Sequence, residues 1–164
     1  MATFENLQEL VRSDALVPIN LPIRVCSAPS RYLYATPRAH EYIVETLPQL
    51  PQTQMSEATP YEQVYSLFKR FVCGNELSYG DGNDIRDINP SDLGVWELKT
   101  EDMRLFGWFP LYDVFICDAV DDASRIKEFN LYAGYRDQCV AVRDRMALSE
   151  PKFVDGELQD VISF

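Results

Sequence analysis

A single histidine, His40, stands among the 164 residues, so a zinc site or a catalytic relay built on several imidazoles has too few members. The four cysteines, Cys26, Cys73, Cys117 and Cys139, form no CxxC pair and no Cys/His cluster. They read as buried free thiols in a reducing cytoplasm, the expected location. Apolar runs are short, none approaching the roughly 20 residues a membrane helix needs. The opening, MATFENLQELVRSDALVPIN, is acidic and amphipathic, unlike a secretory signal peptide. P-loop, GxGxxG, HExxH and GxSxG patterns are all missing. The sequence therefore predicts no cofactor and no metal, and it leans away from an enzyme.

Basic residues are also scarce: 15 Lys and Arg against 26 Asp and Glu, a net charge of −11. A sequence-independent nucleic-acid binder needs a basic footprint, and this chain repels phosphate on average. Direct nucleic-acid binding is thereby disfavoured. Acidity of this size keeps a protein soluble, and it also presents a negative surface to a basic partner.

A 46% hydrophobic and 12% aromatic composition is enough for a conventional core. Thr3 reads as the N-cap of a helix over 4–12, with Phe4, Leu7 and Val11 on one face. IRVCSA and RYLYAT flank a Pro-Ser pair and read as a hairpin or two short edge strands, while Pro18 and Pro22 bar a central strand. Thr36-Pro37 opens a short helix to about Leu47. PQLPQTQMSEA, residues 48–58, reads as a linker. It divides an N-terminal elaboration, 1–58, from a unit spanning 59–164, the whole forming one compact domain.

That second unit opens on the strongest local signal. Thr59, Pro60 and Glu62 make a capping pattern, and Val64, Leu67, Phe68 and Phe71 form one helical stripe ended by Gly74. The acidic loop after it has a partial calcium spacing in Asp81, Asn83 and Asp87. Ile85, Arg86 and Asp92 occupy positions where oxygen, glycine and glutamate are wanted, so the loop does not read as a calcium site. GVWELKT, MRLFGWF and DVFICDAV then read as three strands of an antiparallel meander. Alternation puts Met103, Leu105, Gly107 and Phe109 on one face of the middle strand. Arg104, Phe106 and Trp108 fall on the other. Residues 122–148 read as a long helix with a stripe of Tyr132, Tyr135, Cys139, Val142 and Met146, weakened at Gly134. The tail around Asp155-Gly156 reads as an edge strand.

The resulting fold class is α+β, a small antiparallel sheet of three to five strands packed on helices. Over about residues 60–130, the order of helix, acidic loop, GVWELKT, RLFGWF, third strand and helix resembles the RelE/ParE superfamily of toxin–antitoxin proteins. That resemblance implies a WEL strand, here Trp96, Glu97 and Leu98, paired with a strand bearing a phosphate-stabilising arginine, here Arg104. Lys99 and Lys127 are the accompanying basic candidates. The chain departs from the family pattern in its acidity, with Glu101, Asp102, Asp118, Asp121 and Asp122 near the sheet. Its C-terminal DGELQDVISF also lacks a basic residue and a tyrosine.

Arg104 has three readings: a phosphate stabiliser, a structural partner of Glu97 or Asp113, or one member with Phe106 and Trp108 of an arginine–aromatic binding surface. The N-terminal segment 17–47, with Tyr32, Leu33, Tyr34, Tyr42 and Ile43, is the expected cover if that face is closed. His40 reads as a surface or capping residue. Three functions follow. The first is a RelE/ParE-like bacterial or phage protein that binds a protein partner, antitoxin-like or a basic host protein, in a toxin–antitoxin, regulatory or defence-related system. The second is a ribosome-dependent mRNA endoribonuclease. The third is an acidic inhibitor or nucleic-acid mimic of the phage counter-defence type.

Overall fold

The computed structural model describes residues 1–22, 25–80 and 82–164. Ile23 and Arg24 of the first expected hairpin strand lie outside that set, as does Asp81 of the acidic loop. Among the described residues, six strands make one sheet: β1 (Val17–Pro18), β2 (Tyr32–Ala35), β3 (Ile85–Asp87), β4 (Trp96–Lys99), β5 (Met103–Leu111) and β6 (Val114–Asp122). Their order is β1-β2-β6-β5-β4-β3, and every pairing is antiparallel except β2 with β6. The architecture is mixed α+β with a mostly antiparallel sheet. It is wider than the three to five strands expected, because short strands from both flanks extend the central meander. In place of the hairpin or two short edge strands expected over 17–36, β1 forms the sheet edge and pairs with β2, and β2 lies inside the sheet alongside β6.

Among the described residues, six α-helices pack on this sheet: α1 (Phe4–Arg12), α2 (Pro37–Glu41), α3 (Pro60–Val72), α4 (Ala123–Phe129), α5 (Tyr132–Arg145) and α6 (Leu158–Val161). Local chemistry sets their ends. The Thr3 side chain accepts from Asn6 N–H while Asn6 reaches back to Thr3 N–H, a reciprocal cap. On α1 the inner face is Leu7 and Leu10, and Phe4 is left exposed. At α3, the Thr59 hydroxyl accepts from Glu62 N–H at 3.2 Å. That helix closes with Gly74 at φ +77°, Gly74 N–H donating to Phe71 O and Asn75 N–H to Arg70 O. This is the paired arrangement a left-handed residue makes possible. Helical backbone runs on past α2 through a π turn and a 3₁₀ turn to Gln49.

The expected helix over 122–148 is two helices. Asn130 takes a left-handed conformation, φ 51°, and ends α4. The break thus precedes Gly134, which sits inside α5. Asparagine tolerates that backbone because its short polar side chain bonds locally. The tail is α6 and not an edge strand: Val154 N–H donates to Phe109 O, Asp113 N–H to Val161 O, and Val161 and Ile162 are buried. Arg143, off the expected stripe, is buried, with its guanidinium 3.9 Å from the Phe153 ring centre.

The two sheet faces carry two cores. One joins Trp96, Leu98, Met103, Leu105 and Phe109 to α3 and to Ala39, Ile43 and Leu47. The other joins Val95, Phe106, Trp108 and Ile116 to Leu7 and Leu10 of α1, Ile126 of α4 and Cys139 of α5. Segment 17–47 therefore sits chiefly on the α3 side, and the second face is closed by α1, α4 and α5. Residues 1–58 supply strands to the same sheet and side chains to both cores.

Candidate functional site

The alternation read from β5 places its residues as expected, but the second face is not open. Phe106 and Trp108 are 0% exposed and Arg104 is 7% exposed. Phe106 lies under α5, with ring contacts to Tyr132 at 5.9 Å and Tyr135 at 5.0 Å. An arginine–aromatic docking surface on these three residues is thus replaced by core.

Register on that face assembles a row of charge. Arg86 stands opposite Glu97, and Lys99 opposite Arg104, which in turn stands opposite Asp121. Glu97 is fully buried and ion-paired to Arg86, with Lys99 Nζ 3.9 Å away. Burial pushes the Glu97 carboxyl above its ordinary range, while Arg86, Arg104 and Lys99 oppose that shift. Arg104 donates to the carbonyls of Thr100 and Met103. Its expected structural partner Asp113 lies at the far end of the β5–β6 hairpin, near Arg31 at 3.7 Å. Asp121 accepts from Tyr135 Oη and pairs with Arg125. Burial, then the Asp121 bond, raises the Tyr135 phenol.

Where this row meets the β4–β5 turn there is a cleft of about 600 Å³ bordered by Arg70, Lys99, Arg104, Glu62, Asp84 and Glu101. It brings Lys99 and Arg104 together and adds Arg70, which the sequence reading did not select. Its character is mixed. Arg70 is held by Asp84 at 2.8 Å and Lys99 donates to Gly80 O at 3.2 Å. Lys127 is exposed on α4 and does not border this cleft. His40 is half-exposed in α2, with its backbone N–H bonded to Thr36 O.

A second cleft, about 650 Å³, was not anticipated. Tyr79, Asp87, Asp92 and Trp96 form one side, and Asp155, Glu157, Leu158 and Phe164 from the C-terminal segment form the other. No lysine or arginine borders it, and none of the four carboxylates forms an ion pair among the described residues. Its aromatic floor is ordered. Tyr79 meets Trp96 edge to face at 6.4 Å, and Trp96 meets Phe109 at 5.8 Å. Tyr79 Oη donates to Asp87, a bond that, with burial, lifts the phenol to about 12. Tyr79 and Phe164 are 52% and 72% exposed, so the rim offers aromatic surface to solvent. Asp87 and Asp92 come from the acidic loop considered for calcium. Among the described residues, no group of three or more His, Cys, Asp or Glu is placed to hold a metal ion.

Sequence gave the acidic loop and the WEL strand separately. It carried no signal that the tail, read as an edge strand, returns as α6 to complete a cleft beside them. Among the described residues, no helix is long and apolar enough to cross a membrane. Compared with protein-family models, curated proteins and solved structures, the chain matches none.

Proposed function

We propose that this protein acts by binding a protein partner, and that the acidic, aromatic-floored cleft between the 79–96 region and the C-terminal segment receives a basic stretch of that partner. The observation that carries the reading is the cleft's composition: four carboxylates with no bordering cation among the described residues, set against the exposed rings of Tyr79 and Phe164 over buried Trp96. A lysine or arginine entering it meets opposite charge and ring faces together, and cation–π contact adds to the ion pairing. The chain's charge of −11 extends the attraction beyond the cleft and speeds encounter. The RelE/ParE-like order of elements supports a toxin–antitoxin, regulatory or defence-related setting, with a basic host protein or an antitoxin-like chain as the partner.

Calorimetric titration with an arginine-rich peptide tests this. Saturable binding is expected, absent for a glutamate-rich control, and weakened about 5- to 10-fold in the double variant Asp92→Asn/Asp155→Asn. Equal affinity of wild type and double variant would remove the cleft from the account. An acidic nucleic-acid mimic makes a different salt prediction. Its binding collapses by about 0.5 M salt, where screening reaches a few ångströms, whereas aromatic contacts preserve part of the affinity.

The endoribonuclease reading is favoured by one observation, the shared cleft of Arg70, Lys99 and Arg104. Induced expression followed by mapping of message ends tests it. Cleavage lost in Arg104→Ala would support the nuclease, and unchanged growth with intact message removes it.

A further inference from the structure

Strand β2 accompanies β6 only as far as the pair Ala35 and Cys117. Thr36 then donates its N–H to Cys117 O, and Pro37 turns the chain into α2. Residues 118–122 of β6 therefore have no strand beside them on that side among the described residues. On the other side, Phe106 stands opposite Ala119 and Gly107 opposite Cys117, which leaves Asp118 as the extra residue of a bulge. A bulge re-aims a side chain, and Asp118 accepts from Arg38 of α2 at 3.1 Å and from Gln138 of α5 at 3.2 Å.

The space at this half-open edge is a cleft of about 370 Å³, a size that suits a small molecule. Two carboxylates, Asp118 and Asp121, and two guanidiniums, Arg38 and Arg125, border it, so its charge balances. Both aspartates are buried, whereas more than half of each arginine side chain is exposed. The arginines also keep donors in reserve. Arg38 reaches Asp118 through Nη2, and Arg125 Nε lies 3.5 Å from Asp121. Among the described residues, no hydrogen bond or ion pair takes their other guanidinium N–H groups. Asp121 accepts from Asp122 N–H and Tyr135 Oη, which leaves lone pairs open. The Tyr42 hydroxyl borders the same cleft without a hydrogen-bond partner among the described residues. Burial, then Asp121, lifts that phenol to about 12, so it stays protonated.

We propose that this cleft is a binding site for a free α-amino acid with an apolar side chain. Asp121 receives the ammonium, the open N–H groups of Arg38 and Arg125 receive the carboxylate, and Ala39, Ala119 and the Tyr42 ring receive the side chain. A lone anion meets buried aspartates there, and a lone cation meets two arginines. A zwitterion satisfies both sets and leaves no buried charge unpaired. The cleft shares no residue with the acidic one, so its ligand is independent of the basic partner.

Titration of the folded protein with leucine and phenylalanine, followed by calorimetry and by ¹⁵N spectra, gives the test. Saturable binding is expected, with shifts concentrated at residues 118–121 and at the Gln138 side-chain amide. Leucinamide, which lacks the carboxylate, and N-acetylleucine, which lacks the ammonium, should each bind at least about 10-fold more weakly than leucine. Arg38→Gln/Arg125→Gln should lose leucine by a similar factor. Should that variant fail to fold, the comparison of the three leucine compounds on the wild-type protein decides alone. Absence of binding by both amino acids would overturn the proposal. So would an analogue that binds as tightly as leucine, the mark of a site for one end of a peptide, or shifts centred away from 118–121.

Discussion

Phe106 on β5 lies nearly flat against Tyr135 on α5, with ring centroids 5.0 Å apart and planes 19° from parallel. The same tyrosine donates its hydroxyl to Asp121, the β6 residue opposite Arg104. One side chain thus covers the aromatic half of the sheet face with its ring and satisfies the charged half with its oxygen. Tyr135→Ala should lower stability by about 2–3 kcal/mol, through lost ring packing and an unpaired acceptor. Tyr135→Phe keeps the stack and should cost about 1 kcal/mol. Urea unfolding of both variants measures the split. Equal losses would mean that only the hydroxyl matters.

Gly107 sits where β5 and β6 slip register. A Cβ there would lie 1.9 Å from Ile116 O and 2.8 Å from the Phe115 ring. Backbone cannot yield that far without parting the two longest strands. Gly107→Ala should therefore cost about 3 kcal/mol or more, seen as a lowered urea midpoint. A near-neutral result would contradict the close strand approach.

Glu97 makes a prediction about pH. Burial holds its folded-state carboxyl above the ordinary range, against the pull of Arg86, Arg104 and Lys99. The folded state then binds this proton more tightly than the unfolded state. The associated stabilisation is complete below the unfolded value, about 4.3, and is lost as pH rises through the raised folded value. Glu97→Gln removes that titration. The stability difference between variant and wild type should move in the variant's favour as pH rises from the unfolded value through the raised folded one. Asp84 behaves oppositely: burial raises it, but its bonds to Arg70 and Ser78 outweigh that and lower it. Its contribution is lost on the acid side in both proteins, so the difference between them isolates Glu97. A difference constant with pH would contradict the assignment.

Much of the fold was legible because it rests on short-range rules. Capping at Thr3 and Thr59, the stripe of α3 and the two-residue alternation of β4 and β5 each follow from neighbouring residues. What covers Phe106 and Trp108 depends on contacts between distant segments. Residues 17–47 and α1 are both amphipathic enough for the task, and periodicity cannot choose between them. The break at Asn130 was obscured by Gly134, the more familiar helix breaker. The cleft was invisible for a related reason: Trp96 reads as core, Asp87 and Asp92 as loop, and Asp155 and Phe164 as tail. Only the return of the C-terminal segment beside the 79–96 region joins them.

The central claim, that the acidic cleft is the working surface, is tested most directly by mapping amide and indole shifts in the ¹⁵N spectrum during titration with an arginine-rich peptide. The account predicts changes concentrated at Tyr79, Asp87, Asp92, the Trp96 indole and residues 155–159, with the buried Trp108 indole unmoved. Changes centred on Arg70, Lys99 and Arg104, or spread evenly over the acidic surface, would contradict it.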